Sequence, residues 1–420
     1  MSDRTAVELF AGGGGLAMAV HRAGFRPLLF NEFAKRACET LVANGAVRVP
    51  EGETPWIPAP GDPWPLIEGD IKDVKFDYLN GKVDVLAGGP PCQPFSLGGV
   101  AKGDEDHRNM FPQMFRAIRQ MRPKAVICEN VRGLLRKSFE PYFNYILREL
   151  ELPYVERKEG STWQEHDAVL CERIEKDDVD SSCRYRVVVT PVNAADFGVP
   201  QVRHRVIIVA FRADLPDLED RVARFEKLIE PQFSETALIH SIVNGDYWER
   251  HAEVPEKIRQ QVLARLPKTL PAPDGKHPWR TLRDAIKGIK GLDGRDTELP
   301  PIPPEFLDRK EHRLGGFTDH IGWPDARIYS GHTPNELDRP AKTVKAGVHG
   351  VPGGESVVLL DDGSHRYMTV RETARVMTFP DYWQMQGPRG EKMRQLGNAV
   401  PVLLGEVFAR AVSEALDGAE

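Results

Sequence analysis

Short apolar runs and amphipathic segments alternate along the first half of the chain, and this alternation predicts its secondary structure. Apolar runs bounded by glycine or polar turns are typical of strands buried on both faces. The predicted strands are 5–10, 28–30, 83–87, 124–128, 186–190 and 206–211, and the predicted helices begin at 16 and cover 34–44 and 110–121. The proline- and tryptophan-rich stretch 51–65 is predicted to be a surface loop. Strands that alternate with helices favour an α/β fold with a doubly wound, mostly parallel sheet.

The pattern changes after residue 212, where the periodicity weakens and proline and charged residues dominate. Regular patterns return at 369–377 and 400–416, and both segments are predicted to be helical. We therefore expect a larger α/β domain and a second, smaller and irregular domain, with a short hinge between them. The predicted boundaries are 1–212 with 385–420 for the larger domain, 213–365 for the smaller domain and 366–384 for the hinge.

The composition is typical of an ordinary globular protein. The 420 residues are 41% hydrophobic and 28% charged, which is enough to form a substantial core. Neither a secretory leader nor a membrane-length apolar stretch is visible, so a cytoplasmic protein with no membrane partner is expected. The net charge of −6 argues weakly against non-specific nucleic-acid binding, yet basic residues are crowded in 257–290 and 339–345. The composition therefore does not exclude a nucleic-acid partner.

Cys92 is a candidate nucleophile because of the residues that precede it. A predicted strand leads through Gly88-Gly89 and Pro90-Pro91 to this thiol, and prolines fix the backbone that carries it. In open α/β sheets the carboxyl ends of the strands are where chemistry takes place. A lone cysteine is more often a small buried apolar residue, but such a residue needs no lead-in of this kind. The 5 cysteines lack the paired spacing of a zinc site, so reduced thiols and no metal are expected.

A run of glycines, 12–15, separates the first predicted strand from the first helix and indicates a ligand site. Such a run lets a ligand approach the backbone and the helix N-terminus, although packing alone also explains glycines. Glu32, at the tip of the second strand, is placed to accept hydrogen bonds from both ribose hydroxyls of a nucleoside. Asp70, beside Ile71, is placed to bind an adenine amino group or is simply a solvated turn acid. The glycine spacing favours a mononucleoside cofactor over NAD.

Short blocks of residues follow one another in the same order as in the DNA cytosine-C5 methyltransferases, and the chain resembles that family. The blocks are ELFAGGGGL at 8–16, GPPCQPFS at 89–96, ENV at 129–131, QVRHR at 201–205, RETAR at 371–375 and GNAVP at 397–401. Two positions depart from the usual pattern: Glu8 stands where aspartate is commoner, and Gly13 where an aliphatic residue is usual. Neither departure removes a group that the chemistry needs.

The resemblance implies a Rossmann-like methyltransferase domain that binds S-adenosylmethionine and a smaller domain that recognises DNA. It implies that Cys92 adds to C6 of a flipped cytosine while Glu129 engages the base. Arg205 is expected to contact the base oxygen and Arg203 to brace the site. The S-adenosylmethionine pocket is implied to contain Phe10, Ala11, Gly12, Gly14, Leu16, Glu32, Asp70, Ile71, Asn398 and Val400. DNA contacts are expected from Gln93, Ser96, Arg108, Arg339, Lys342, Thr343 and Lys345.

The resemblance also implies partners and leaves alternatives. The expected partner is double-stranded DNA, with a cognate restriction endonuclease acting separately, and a monomer associated with the bacterial nucleoid is expected. The tRNA-methylating branch is disfavoured because its cysteine-phenylalanine-threonine segment is absent. A catalytically silent DNA-binding regulator is disfavoured by the intact set of Cys92, Glu129 and Arg205. The glycine-containing segment 96–108 is predicted to be a lid over the base.

Overall fold

The computed structural model describes residues 4–91, 109–289, 296–328, 330–346 and 356–417. The chain divides into two compact units. The first consists of Met1–Val192, His204–Glu230 and Gly405–Glu420, and the second of Asn193–Arg203 and Pro231–Leu404. The predicted domains differ from these units in three places, because 193–203 and 385–404 belong to the second unit and 213–230 belongs to the first. The functional boundaries of the two domains stay a prediction.

The first unit is built on a sheet of eight strands among the described residues. The strands are β1 (Thr5–Leu9), β2 (Arg26–Glu32), β3 (Ala46–Arg48), β4 (Trp64–Glu68), β5 (Val85–Gly88), β6 (Ala125–Val131), β7 (Tyr185–Asn193) and β8 (His204–Arg212). Their order across the sheet is β3-β4-β2-β1-β5-β6-β8-β7. The pairings from β3 to β6 are parallel, whereas β8 is antiparallel to β6. The predicted mostly parallel α/β sheet is therefore confirmed.

Helices of the first unit cover this sheet. They are α1 (Gly15–Arg22), α2 (Lys35–Ala43), α3 (Phe111–Met121), α4 (Glu140–Glu151), α5 (Trp163–Lys176) and α6 (Leu218–Leu228). Strands β1 and β5 are buried along their whole length, which explains the mainly apolar sequence of both strands. Phe115 and Ile118 of α3 belong to the same core cluster as Leu86 of β5 and Val126 of β6. Burial of these side chains fixes the strand ends that carry the candidate site.

The second unit combines short strands with short helices. Its strands are β9 (Phe233–Ser234), β10 (His277–Pro278), β11 (Asn335–Glu336), β12 (Val357–Leu359) and β13 (His365–Tyr367). Its helices are α7 (Glu235–Asn244), α8 (Asp246–Arg250), α9 (Glu256–Ala264), α10 (Leu282–Lys287), α11 (Val370–Val376), α12 (Arg389–Asn398) and the start of α13 (Val402–Asp417). Irregular structure was predicted for 213–365, and α6 to α10 lie in that range. In the described part of the chain, no helix is both long and apolar enough to cross a bilayer.

Helix α11, which carries the block at 371–375, is buried throughout and organises the second unit. The guanidinium of Arg371 donates to the backbone oxygens of Thr318 at 3.1 Å, and of Pro380 and Trp383 at 3.3 Å each. These contacts tie the helix to the segment that follows it and to Thr318, which is 53 residues away in the sequence. The block therefore has a structural role that its residue types alone do not reveal.

Glu372 makes the second unit sensitive to acid, which gives a testable expectation. Burial alone would raise the pKa of this carboxyl, but the guanidinium of Arg366 outweighs burial and lowers the pKa from 4.5 to about 2. A carboxyl with a lowered folded-state pKa stabilises the fold above its unfolded pKa, and that stabilisation is lost as the pH falls towards the folded value. We expect Glu372→Gln to lower the free energy of unfolding at pH 7 by roughly 3 kcal/mol, because it leaves a buried arginine unpaired.

Urea unfolding of the wild type and of Glu372→Gln between pH 7 and pH 3 would measure this effect. The difference between the two proteins should shrink as the pH falls below about 4.5. Glu175→Gln, which changes an exposed carboxyl of α5, is the matched control and should follow the wild type. A difference that stays constant with pH would contradict this assignment.

Candidate active site

The loop between β1 and α1 has an unusual backbone. Phe10, Gly12 and Gly14 have φ angles of 58°, 54° and 87°, in the left-handed region that glycine adopts at little cost. Phe10 has a side chain, so its conformation is strained, and strain of this kind clusters at functional sites. The backbone N–H of Ala11 donates to the oxygen of Asn31 at 3.1 Å, which ties the loop to β2. Leu16 follows in the first turn of α1 and is buried.

Glu32 ends β2 and connects this loop to the next helix. One of its carboxylate oxygens, Oε2, accepts a hydrogen bond from the backbone N–H of Gly12 at 2.7 Å. The other, Oε1, accepts from the N–H of Ala34 at 2.7 Å, just before α2 begins. A carboxylate oxygen can accept more than one hydrogen bond, so both oxygens retain the capacity to accept from a ligand. The structure therefore places the predicted ribose-binding acid against the glycine loop.

Asp70 and Ile71 follow β4 at the same edge of the sheet. Glu32 pairs with Glu68 in the parallel register of β2 and β4, and Gly69 N–H donates to the oxygen of Glu32 at 2.9 Å. Asp70 accepts from the backbone N–H of Lys72 at 3.0 Å and begins a short 3-10 turn, in which Ile71 is buried. Asp70 is thus a turn acid that also stands beside the predicted pocket.

Two further residues at this edge were missed by the sequence-based assignment. Phe33 directly follows Glu32 and is 75% exposed, so its ring is accessible to a ligand. Glu8, in β1, is buried, and burial raises the pKa of its carboxyl well above the ordinary value. Among the described residues, its Oε2 atom has no hydrogen-bond partner. The signal for Phe33 was its position next to the predicted ribose-binding acid.

Glu129 and Arg205 come together because β6 pairs with β8. The side-chain atoms Glu129 Oε1 and Arg205 Nε are 2.8 Å apart, and Glu129 is 8% exposed. A β-carbon added to Gly89 would lie 3.5 Å from Glu129 Oε2, and Asn130 donates to the oxygen of Pro90 at 3.2 Å. The Gly-Pro lead-in to the predicted nucleophile therefore packs directly against the Glu129 segment.

Arg203 has different surroundings. It belongs to the second unit and is 1% exposed. Its guanidinium donates to the backbone oxygens of Val344 at 3.0 Å, Gly397 at 2.7 Å and Ala399 at 3.1 Å. Residues two positions apart in a strand would share a face, but Arg203 lies just before β8, which begins at His204, so its side chain can have partners that differ from those of Arg205. These contacts favour the bracing role of Arg203 over a contact with the base.

The remaining predicted site residues are placed as follows. Asn398 is exposed at the end of α12, and Val400 is buried just beyond it. Lys342 donates to the oxygen of Thr333 at 2.6 Å, and the hydroxyl of Thr343 donates to the oxygen of Val202 at 2.8 Å. Arg339 is exposed and lies 3.3 Å from a carboxylate oxygen of Glu235, and Lys345 is exposed. Cys92, Gln93, Ser96, Arg108 and the predicted lid 96–108 lie outside the described residues.

Comparisons with known proteins identify the family of this chain. A family model described as C-5 cytosine-specific DNA methylase matches residues 4–152 and 176–414. The chain is 31% identical to the Type II methyltransferase M.PspPI of Psychrobacter sp. (strain TA137), over 98% of this chain and 80% of that protein. It is 30% identical to the Type II methyltransferase M.Eco47II of Escherichia coli, over 98% and 79%.

Among solved structures, a mutant of DNMT2 from Spodoptera frugiperda has a TM-score of 0.52 and 15% identity, and the match covers 99% of this chain and 100% of that one. At this level of identity the likeness shows the fold alone. The family model and the sequence relatives both span nearly the whole chain and confirm the resemblance drawn from the ordered blocks. The chain belongs to the C-5 cytosine-specific DNA methylase family.

Proposed function

We propose that this DNA methyltransferase transfers a methyl group from S-adenosylmethionine to C5 of a cytosine flipped out of duplex DNA, with Cys92 as the covalent nucleophile. The observation that carries the proposal is the contact of Glu129 with Arg205 at 2.8 Å, next to the Gly89-Pro90 lead-in. A buried acid and a guanidinium beside the lead-in to the proposed nucleophile match the needs of a base that must be polarised before attack.

The cofactor end of the first unit suits S-adenosylmethionine, which when bound would supply an electrophilic methyl group. Glu32 can accept hydrogen bonds from ribose hydroxyls while keeping its two backbone contacts. The exposed ring of Phe33 offers a face on which a purine can stack. Glu8 has a buried carboxyl oxygen with no partner in the described chain, which could form a hydrogen bond with a ligand. The full pocket predicted from the family resemblance remains part of this proposal.

The catalytic residues are proposed to act on the cytosine ring. C5 is a poor nucleophile until a thiolate adds to C6, and this addition makes C5 enamine-like. Glu129 is proposed to engage ring N3 and the exocyclic amine, and Arg205 the base oxygen, so that electron density can move into the ring. After methyl transfer the C5 proton leaves, the C6–sulfur bond breaks and the thiolate of Cys92 is released. Water or hydroxide is proposed to take the proton.

Target recognition is proposed to lie in the domain 213–365. The recognition segment is proposed to be residues 339–347, which include Arg339, Lys342, Thr343 and Lys345, and duplex DNA is the proposed partner. Flipping a base costs a few kcal/mol of unstacking, which contacts with the rest of the duplex must offset. Because the relatives are named Type II methyltransferases, we propose a restriction-modification role with a separate cognate endonuclease. The enzyme is proposed to act as a monomer on the DNA of a bacterial nucleoid.

Expression in a bacterial host that lacks cytosine methylation, followed by bisulfite sequencing, tests the proposal. We expect 5-methylcytosine at one position of a single recurrent sequence, and none from a Cys92→Ala variant expressed at the same level. Transfer RNA from the same cells should carry no new methyl group. Absence of 5-methylcytosine in the DNA, or methylation confined to tRNA, would contradict the proposed function.

Glu32→Gln is expected to weaken binding of the product S-adenosylhomocysteine by about 10- to 100-fold, the effect of losing hydrogen bonds to a charged group. The amide of glutamine has only one accepting oxygen, so it cannot accept from both Gly12 and Ala34. The substitution therefore also removes one of the two backbone hydrogen bonds that this side chain accepts. Isothermal titration calorimetry measures the dissociation constant directly. Glu68→Gln, at the paired position of β4, is the control and should bind as the wild type does. An unchanged dissociation constant for Glu32→Gln would remove this residue from the site.

A further inference from the structure

Three separate segments of the second unit meet at one buried guanidinium. The segment 199–203 lies beside the segment 341–346, where Ala341 N–H donates to the oxygen of Pro200 and Val202 N–H to the oxygen of Ala341, both at 2.9 Å. The turn 397–400 provides the third side, since the oxygens of Gly397 and Ala399 accept from Arg203. We call this arrangement the Arg203 junction, formed by Gln201, Arg203, Val344, Gly397 and Ala399.

Gln201 adds a second buried side chain to the junction. Gln201 is 0% exposed, and its Oε1 atom accepts from the N–H of Val344 at 3.1 Å. The backbone oxygen of Val344 accepts a hydrogen bond from the guanidinium of Arg203 at 3.0 Å. The backbone N–H and the backbone oxygen of Val344 are therefore both hydrogen-bonded to side chains of the segment 199–203. These two bonds fix the path of residues 343–345. Thr343 adds a hydrogen bond from its hydroxyl to the oxygen of Val202.

Gly397 shows how closely the turn and the recognition segment approach each other. A β-carbon at this position would lie 2.5 Å from the backbone N of Ala346 and 2.5 Å from the carbonyl carbon of Lys345. Both neighbours are backbone atoms, which cannot move aside as a flexible side chain can. The end of α12 and the recognition segment are thus in direct backbone contact, and a displacement of one is passed to the other.

We propose that Arg203 is a positioning residue that couples cofactor binding to DNA binding. The inference rests on the proposed function, which assigns Asn398 and Val400 to the cofactor and Lys342, Thr343 and Lys345 to the DNA. A ligand that orders the turn 397–400 fixes the two carbonyls that hold Arg203, and Arg203 in turn fixes the recognition segment. By linkage, each ligand must then tighten the binding of the other by the same factor.

The substitution Arg203→Lys tests whether the shape of the arginine side chain matters in addition to its charge. It keeps the positive charge, but a single ammonium group cannot reproduce the planar fork that reaches carbonyls on two segments. Arg203→Lys is therefore expected to loosen the connection between the segments. Arg371→Lys is the matched control, because Arg371 is equally buried and also donates to three backbone oxygens, none of them in the turn 397–400 or the recognition segment.

The experiment uses the full chain and the duplex identified by bisulfite sequencing. The dissociation constant of S-adenosylhomocysteine is measured by calorimetry with and without duplex, and that of the duplex by fluorescence anisotropy with and without S-adenosylhomocysteine. For the wild type and Arg371→Lys we expect each ligand to tighten the other by about fivefold or more, by the same factor in both directions. For Arg203→Lys the factor should fall below about twofold, while each ligand still binds alone.

Gly397→Ala is a second variant that separates the two segments without touching Arg203, and it should lose the same coupling. The inference is overturned if folded Arg203→Lys shows undiminished coupling, or if the wild type binds the two ligands independently. The proposed function survives either result. A wild type that binds neither ligand overturns the proposed function instead. If neither variant folds, the junction is a folding element and the inference is abandoned.

Discussion

Cys92→Ser is expected to abolish methyl transfer while leaving S-adenosylhomocysteine binding unchanged. A thiol with a pKa of about 8.5 is a few per cent ionised at neutral pH and is intrinsically nucleophilic, whereas a serine hydroxyl is neither. Without addition at C6, C5 does not gain enamine character, so the rate should fall by roughly 10⁴-fold or more. Single-turnover transfer of a radiolabelled methyl group to the identified duplex measures the loss, and calorimetry measures cofactor binding.

A mechanism-based trap shows whether the lost step is covalent. In a duplex with 5-fluorocytosine at the target position, fluorine replaces the C5 proton that must leave. When S-adenosylmethionine is supplied with this duplex, C5 receives the methyl group but has no proton to lose, so the sulfur–C6 bond cannot be broken by elimination. The wild type should form an adduct that survives denaturation, and Cys92→Ser should not. Cys171→Ser changes a free, half-buried cysteine of α5 and should still form the adduct. An adduct formed by Cys92→Ser would show that another residue is the nucleophile.

The central sheet was predictable because its strands are buried on both faces and therefore read as continuous apolar runs. Val85–Gly88 and Ala125–Val131 were found in this way, within a few residues of their ends. Strand β3 was missed, and the first two residues of β4, Trp64 and Pro65, were included in a predicted loop because proline is uncommon inside a strand. The short helices of the second unit carry little periodic signal; α9, for example, buries no residue completely.

The candidate site was predictable to the extent that its residues stand at strand ends. Glu32 and Glu129 were identified in this way, but the partners that give them their environment were not. Arg205 reaches Glu129 only because β8 pairs with β6, and Arg203 meets Val344 and Gly397 at sequence separations of 141 and 194 residues. Such contacts depend on tertiary packing, which no local pattern encodes. Arg203 illustrates the limit, because sequence suggested a catalytic region and the structure shows a guanidinium enclosed by backbone oxygens.

Glu129→Gln is expected to slow single-turnover methylation by about 10²- to 10⁴-fold, the usual contribution of a positioned acid or base. Glutamine keeps the shape of glutamate but cannot hold or donate a carboxyl proton, and it loses the ion pair with Arg205. Formation of the 5-fluorocytosine adduct should slow by a similar factor, since polarisation of the ring precedes attack at C6. Glu140→Gln, an exposed carboxyl at the start of α4, is the control and should methylate at the wild-type rate.

Arg205→Met and the double variant distinguish a shared role from two separate ones. Glu129 and Arg205 are in direct contact, so their effects on rate should not add if they act on the base as one unit. The double variant should then be little slower than the worse of the two single variants. If the two losses multiply, each residue acts on its own, and the ion pair is incidental to catalysis.

The single variant has its own contradicting outcome. If Glu129→Gln stays within about threefold of the wild-type rate, far short of the loss expected of a general acid, the carboxyl has no part in polarising the base.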